Sequence, residues 1–354
     1  MSRVKLTDVA KLAGVSSKTV SNVINNYKHV TPQMRSKVQD AIDQLGYRTN
    51  ITARKLATGR SKMIALAFPE TNHPYFSMIA AAVVNTAEAR GYRVLIEQTG
   101  SKLQNEQAVL NDRDEGLVDG VIFHPSTVTS LQISSIKLDI PIVLLGEATI
   151  PLTMDHVMID NVAAAKVATK HLIDAGCRRI AFLGAVDGDQ GGATIRRLIG
   201  YQDALNEAQI MVDADLVIKV ADFDPKHAKG SVINAMGRDG TIDGILCRDD
   251  RFAVGALQAL RELGVHCPGQ VKVVGWDASE LSEFTHPTLT SVAPDIQQLA
   301  ITAVDLLIER IEGHRGIGRH HLVPFDLSIR ESTAPKSLTS LALQRSKFTV
   351  DMSL

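Results

Sequence analysis

The sequence is poor in cysteine. Its three cysteines, Cys177, Cys247 and Cys267, are too few and too scattered for a disulfide framework or a paired-cysteine zinc site. They read as buried spectators. Long apolar runs are missing as well: nowhere do about 18 uninterrupted apolar residues occur, so no segment is expected to span a membrane. Met1 leads straight into "SRVKLTDVAKLAGVS", with no stretch resembling a secretion signal, and the expectation is a cytoplasmic protein. Catalytic signatures are equally scarce. No GxGxxG follows an expected strand, since "GAVDGDQGGATI" has the wrong spacing, and neither a P-loop nor a GxSxG elbow occurs. The His320–His321 and Asp249–Asp250 pairs lack further ligands at a recognisable spacing. No metal, cofactor or enzymatic activity is therefore expected.

Apolar residues make up 45% of the 354, enough for more than one core, and the chain length suggests two or three units at roughly 100 to 200 residues each. The overall charge of −1 hides an asymmetry. Residues 1–60 carry eleven Lys and Arg against three Asp, a balance of +8, which leaves −9 for the remaining 294 residues. A basic head on an acidic body suggests a polyanion as partner of the head alone, with a solvated lysine-rich face as the plainer alternative.

Within the head, "LTDVAKLAGVSSKTVSNVINN" holds two short amphipathic stretches broken at Gly14. The first, about Leu6–Ala13, buries Leu6, Val9, Ala10 and Ala13; the second, about Ser17–Asn25, follows Ser16 as N-cap. Two helices across a tight Gly-containing turn make a helix-turn-helix. Ser17, Lys18, Ser21, Asn22 and Asn25 share one arc of the second helix, opposite Val20, Val23 and Ile24. Asn and Lys can address adenine and guanine in a major groove, and Ser can serve base or phosphate. "VTPQMRSKVQDAIDQLGY" adds a third helix, capped by Thr31, with Pro32 at its first position and Gly46 as its stop.

These two runs, followed by "ARKL", closely resemble the DNA-binding headpiece of the lactose and purine repressor (LacI/GalR) family. The resemblance covers about residues 4 to 333, and "VMIDNVAAAKVATKHLIDAGCRRIAFLG" and "VKVVGWDAS" are its strongest marks further on. It implies a homodimeric transcription regulator that binds a roughly palindromic operator. Carried over by position, base reading falls on Ser17, Lys18 and Asn22, where Asn22 replaces a common Arg and implies an altered operator preference. Thr7, Ser16, Thr19, Ser21, Asn25 and His29 complete the headpiece set. "NITARKLATG" implies a hinge helix that forms when two copies pack side by side on DNA. Leu56 is its wedge between base steps, and Arg54 serves the flanking phosphates. Lys5 stands where the family has a capping Thr, and Thr49 where many members have Pro.

From Met63 onward short apolar runs alternate with helical stretches: "MIALAF", "YRVLI", "GVIF" and "IVLL", then "RRIAFLG", "DLVIKV", "DGILC" and "VKVVGW". That alternation predicts parallel sheets covered by helices, in two halves with a cleft between them. The fold class is α/β: a helix-turn-helix headpiece over 1–48, a hinge and linker over 49–61, and a two-lobed body over 62–334. The resemblance implies the fold of the periplasmic sugar-binding proteins, with lobe 1 about 62–160 and 293–325, and lobe 2 about 161–292 and 326–334. It also places the dimer interface on lobe 1, where the Ala-rich "FSMIAAAVVNTAEARG" suits close packing. Residues 335–354 form a tail without sustained heptads.

Ligands of open α/β sheets sit at the carboxyl ends of strands. Tyr75 and Phe76 follow the first strand, Arg197 opens the helix after "RIAFLG", Asp249 follows "ILCR", and Trp276 and Asp277 close "VVGWD". Carboxylates accept paired hydroxyls, Arg donates to them and an aromatic covers a sugar ring. The resemblance supports the same positions and adds Phe223 in "ADFDP" as an aromatic closing the pocket. The expected effector is a carbohydrate, although the same groups fit nucleosides. Asp160 and Asp250 read as helix-cap or interlobe residues. A free-standing sugar-binding receptor is the competing reading, but it has no use for the basic head.

Overall fold

The computed structural model describes residues 4–24, 27, 29–47, 59–111, 117–135, 140–147, 153–185, 192–220, 224–238 and 241–334. Asn25, Arg54, Leu56, Phe223, most of the expected hinge and the 335–354 tail lie outside them. The chain divides into two compact units, Met1–Ser61 and Lys62–Leu354.

Three helices build the first unit: α1 (Leu6–Ala13), α2 (Ser17–Ile24) and α3 (Pro32–Leu45). Gly14 ends α1 with φ 61°, a left-handed turn that a side chain would strain. Lys5 cannot cap α1 with a side-chain acceptor; instead the Asp8 carboxylate accepts the Lys5 backbone N–H at 2.8 Å. Ser16 Oγ accepts from Thr19 N at 3.1 Å, and Thr31 Oγ1 accepts from Met34 N at 3.3 Å, as their sequence positions predict. Val9, Ala10, Ala13, Val20, Val23, Val38 and Ala41 form the core. Leu6, Ile24, Ile42 and Leu45 pack at its rim, only half buried. Arg35, one of the cations of the basic head, donates to Val23 O and Tyr27 O and so ties α3 to the end of α2.

In the second unit β1 (Met63–Phe68), α4 (Pro74–Ala89), β2 (Arg93–Gln98), α5 (Leu103–Asn111), β3 (Val121–Phe123), α6 (Ser130–Ser135), β4 (Ile142–Leu145) and β5 (Asp155–Ile159) make lobe 1. Lobe 2 follows with α7 (Asn161–Asp174), β6 (Ile180–Ala185), α8 (Ala193–Glu207), β7 (Val217–Lys219), α9 (Pro225–Arg238), β8 (Gly244–Cys247), α10 (Asp250–Glu262), β9 (Lys272–Trp276), α11 (Leu281–Phe284) and β10 (Thr290–Pro294). The chain returns to lobe 1 for α12 (Ile296–Ile311) and β11 (His320–Val323), then to lobe 2 for β12 (Phe325–Ser328). Each lobe has a six-stranded sheet, ordered β11-β5-β4-β3-β1-β2 and β12-β10-β9-β8-β6-β7. All pairings are parallel except β10 with β12. Ala293 and Pro294 pair with Asp326 and Phe325, so the later crossings fall at Asp295 and Pro324, slightly inside the expected bounds of 293 and 325.

Both faces of the first sheet are apolar, which is why its strands read as continuous runs. Ile64 and Leu66 share a core with Ile79, Leu299 and Val304, while Ala65 and Ala67 share another with Val109 and Leu110. In lobe 2, α7 and α8 approach so closely that a Cβ on Gly200 would lie 2.1 Å from Val162 O. The returning segment is anchored by Asp155, fully buried in β5, which takes Arg310 Nε and Nη2 at 2.8 Å each and Arg319 Nη2 at 2.9 Å. Burial alone would raise this carboxyl, but the two guanidiniums hold it well below the ordinary range. Among the described residues no helix is long and apolar enough to cross a membrane, and no group of three His, Cys, Asp or Glu could hold a metal ion.

Candidate nucleic-acid interface and interlobe cleft

On the headpiece Thr7, Ser16, Ser17, Lys18 and His29 are exposed, and Thr19, Ser21 and Asn22 are half-buried. Val20 and Val23 pin the opposite face of α2 into the core. The Ser16 and Thr19 hydroxyls lie 2.9 Å apart and satisfy each other, so this pair shapes the helix start, while Ser17, Lys18 and Asn22 present the reading arc. His29 packs edge-on against Tyr27 at 5.4 Å between centroids.

In the body, a cavity of about 610 Å³ opens between the lobes. Its wall is made by residues that follow strands: Glu70 and His73 after β1, His124 after β3, Glu147 after β4, Asn161 after β5, Arg248 and Asp249 after β8, Asp277 after β9. All parallel strands of each sheet point their carboxyl ends the same way, so these short connections meet in one place. Of the expected effector residues, Tyr75, Phe76, Arg197, Asp249, Trp276 and Asp277 all reach this wall. Phe223 is not among the described residues.

Arg197 is the centre of the arrangement. Its Nε donates to Asn161 Oδ1 at 2.7 Å, its Nη1 donates to Arg248 O, and its guanidinium lies 4.0 Å above the Trp276 ring. It does not open its helix, as the sequence suggests, because α8 begins at Ala193, a turn earlier. Trp276 is fully buried, and Arg197 covers its face; the ring supports the arginine from below. Phe76 stacks on Phe68 at 5.5 Å, and Tyr75 packs edge-on to Phe76 at 5.3 Å. The Tyr75 phenol is pushed up by burial and then by the nearby Glu147 and Asp277 charges.

The two adjacent aspartates depart from the roles expected of them. Asp249, expected to touch the effector, caps α10 by accepting Phe252 N at 2.9 Å, and its other oxygen lies 3.7 Å from His73 Nε2 across the cleft. Burial would raise its carboxyl, but the nearby His73, the Arg248 charge and the Phe252 N–H hold it at about 2. Asp250, expected as a cap or interlobe residue, is neither, because the helix starts at Asp250 itself, one residue earlier than a cap there requires. It lies buried inside lobe 2, taking Ser279 N at 2.7 Å, Ser279 Oγ at 2.8 Å and Ser291 Oγ at 2.6 Å. Asp160 does cap α7, through Ala163 N at 2.9 Å.

Those Asp250 contacts brace the turn that carries Asp277. Asp277 and Ala278 have φ of 97° and 46°, left-handed values that cost a residue with a side chain roughly 1 to 3 kcal/mol. Asp277 N donates to Val292 O at 2.9 Å and Ala278 N to Ser291 Oγ at 3.0 Å, which holds the turn in place. The Asp277 carboxyl is pushed well above its ordinary range, by burial first, with Asp250 and Asp249 adding to the effect and Arg197 opposing it.

Sequence reasoning missed His73, His124, Glu147, Asn161 and Arg248. The strand-end signal covers them all: His73 and Arg248 stand beside residues the same rule selects, and His124, Glu147 and Asn161 follow β3, β4 and β5. Asn161, 2% exposed, still holds an amide nitrogen, Nδ2, that makes no well-formed hydrogen bond. Glu147, 8% exposed, has its carboxyl pushed up to about 7, by burial against the opposing pull of Arg197 and Arg196. A raised carboxyl binds its proton more tightly in the folded state, so its contribution to stability is lost as pH rises from about 4.5 to 7. Buried His124 and His156, both held at about 4, act in the opposite sense over much of that window. The difference between wild type and Glu147→Gln isolates the carboxyl: urea midpoints should show the variant gaining on wild type with rising pH and levelling above 7. The gain should be on the order of 3 kcal/mol; a pH-independent difference would contradict the burial account.

Comparison with known proteins agrees with both units. Residues 5–50 match the profile of bacterial regulatory proteins, lacI family, and residues 169–333 match a periplasmic binding protein-like domain. The HTH-type transcriptional regulator RegA of Clostridium saccharobutylicum is 31% identical over 333 residues, covering 93% of this chain and 98% of RegA. A transcriptional regulator CelR–cellobiose complex superposes with TM-score 0.70 at 29% identity, covering 93% of this chain and 100% of that one. The lac repressor dimer bound to operator and the anti-inducer ONPF gives TM-score 0.78 at 26% identity, covering 94% and 99%. With a relative above 30% identity matched over nearly its whole length, and with the headpiece and body both in place, this chain belongs to the lacI family of bacterial regulatory proteins.

Proposed function

We propose that the protein is a homodimeric repressor of transcription that binds a roughly palindromic operator, and that a carbohydrate held between the lobes sets its operator affinity. One observation carries the reading: the same chain joins a reading arc of Ser17, Lys18 and Asn22 to a cavity of about 610 Å³ in which carboxyls, an arginine and aromatics converge. That volume suits a mono- or disaccharide. The cellobiose in the CelR complex supports the ligand class, and the operator-bound lac repressor dimer supports the assembly.

In this reading the ligand favours one arrangement of the lobes, and only a ligand with different affinity for the two arrangements can shift the balance. Among the described residues, His73–Asp249 and Glu70–Arg251 at 4.0 Å are two ion pairs that span the cleft and respond to such a shift. Arg54 and Leu56 are the proposed hinge contacts to phosphate and base step.

A mobility-shift assay on promoter fragments, with and without a panel of sugars, tests the proposal. A specific shift altered by one sugar is expected; no shift on any fragment, together with turnover of a substrate, would overturn it. Lys18→Ala and Leu56→Ala should each weaken operator binding, the first by about 1 to 3 kcal/mol for a lost base contact. Sugar-dependent thermal shifts should be the same in both variants as in wild type. Unchanged operator affinity in either variant would remove that residue from the interface.

A further inference from the structure

The charge of the cavity wall narrows what can enter it. Four acids, Glu70, Glu147, Asp249 and Asp277, stand against two guanidiniums, Arg197 and Arg248. Arg197, placed to meet a ligand, has already spent Nε on Asn161, Nη1 on Arg248 O and one face on Trp276. Asp249 is committed to its helix cap and to His73. Glu147 comes from lobe 1 and Asp277 from lobe 2, and both belong to the surroundings of the Tyr75 phenol. The charged and titratable groups that face Glu147 are Arg196 and Arg197 from α8 and Tyr75 from α4. Beside them the buried Asn161 amide lines the same cavity; its Nδ2 makes no well-formed hydrogen bond but lies near enough to Glu147 to pull that carboxyl down. A ligand is thus offered carboxyls from both lobes and one amide donor, while Arg197 is already held by two hydrogen bonds and a ring.

An anionic ligand group entering here would lose its water beside the carboxyls of Glu147 and Asp277, with Arg197 already turned toward Asn161 and Arg248 O. A hydroxyl faces no such penalty: it donates to a carboxylate and accepts from an amide. We propose that Glu147 selects the charge of the effector, accepting a hydroxyl of an uncharged polyhydroxy ligand and rejecting its phosphorylated or carboxylated counterparts. This inference deepens the carbohydrate reading of the cleft and rests on it. Because an ionised carboxylate is the better acceptor, binding draws a proton off Glu147, whose carboxyl sits at about 7 in the empty cleft. Affinity should therefore rise with pH between about 6 and 7 and flatten above.

The test is calorimetric titration of the full-length protein with matched probes: D-glucose, glucose 6-phosphate and D-glucuronate; D-galactose, galactose 6-phosphate and D-galacturonate; D-ribose and ribose 5-phosphate; cellobiose. A free sugar is expected to bind at least about tenfold more tightly than its anionic counterparts, a difference of about 1.4 kcal/mol. In Glu147→Gln that discrimination should shrink and the pH dependence of free-sugar binding should disappear. The pH profile of the wild type tests the same claim without any variant. A phosphate or uronate that binds as tightly as its parent sugar, or discrimination unchanged in Glu147→Gln, would overturn the inference while leaving a carbohydrate site intact. No binding by any probe would instead overturn the carbohydrate reading and this inference with it.

Discussion

Replacing Arg197 with Ala should weaken effector binding by at least about 100-fold while leaving effector-free operator affinity within about twofold. A hundredfold corresponds to about 2.7 kcal/mol, and the geometry supplies more than one source for it. The guanidinium makes two hydrogen bonds and one aromatic stack, so its removal leaves Asn161 Oδ1 and Arg248 O without their donors and uncovers Trp276. It also removes the largest charge that lowers the Glu147 and Asp277 carboxyls. Both would then be held more firmly protonated and make poorer acceptors for a hydroxyl. Arg197→Lys should recover little, because an ammonium can neither stack flat on an indole nor direct two nitrogens at once. Isothermal titration with whichever ligand stabilises the wild type provides the measurement. An Ala variant that binds within threefold of wild type would show that Arg197 only holds the lobes in shape.

Glu106→Ala should lower the stability of the body by roughly 3 kcal/mol, the largest effect we expect from a side chain that does not itself line the cavity. Glu106 is fully buried in α5 and accepts from Ser126 N and Oγ at 2.9 and 2.6 Å, Thr127 N and Oγ1 at 2.8 Å each, and Val128 N at 2.9 Å. Ser126 and Thr127 line the cleft. With their hydroxyl protons turned inward to Glu106, their oxygens can face the ligand as acceptors. Truncation strands three backbone N–H groups, of which that of Val128, 2% exposed, has no access to water as a substitute. Glu106→Gln should lose about half as much, since one oxygen survives while the amide nitrogen meets donors. Urea midpoints measure the stability term, and weakened effector binding in the Gln variant would report the loop. A midpoint unchanged in Glu106→Ala would mean that the loop is held by other contacts.

Much of this was legible in the sequence, and the exceptions share one cause. The helix-turn-helix could be read because its information is local: Gly14, Ser16, Thr31, Pro32 and Gly46 act within a turn of where they stand. The apolar strands could be read for the same reason, since β1, β4 and β6 are buried on both faces. Strand β5 escaped because "DHVMI" begins with two polar residues, and burying them depends on distant partners. Asp155 is neutralised by Arg310 and Arg319, and His156 Nε2 meets Gly146 O. Missing β5 then hid Asn161, which stands just past its end.

The aspartates show the same limit at finer scale. Nothing near "CRDDRF" decides which carboxyl caps the helix and which turns inward; Ser279 and Ser291, both across the sheet, decide it for Asp250. The choice of effector residues by chemistry picked residues that line one cavity but could not say which groups were already engaged. Asp249 and Trp276 have the right character for a sugar, and the fold has given each another duty.

In the proposed repressor the cleft and the headpiece are thermodynamically coupled, and coupling must be reciprocal. The chain holds one tryptophan, and Trp276 lies directly under Arg197, so its fluorescence reports ligand entry without a label. The decisive measurement pairs two titrations on the full-length protein with an operator selected from a random-sequence pool. Operator affinity is read by anisotropy with and without saturating ligand, and ligand affinity by Trp276 emission with and without saturating operator. The account predicts that each affinity changes by the same factor, about 5- to 150-fold. A ligand that saturates the Trp276 signal while operator affinity stays constant would contradict it.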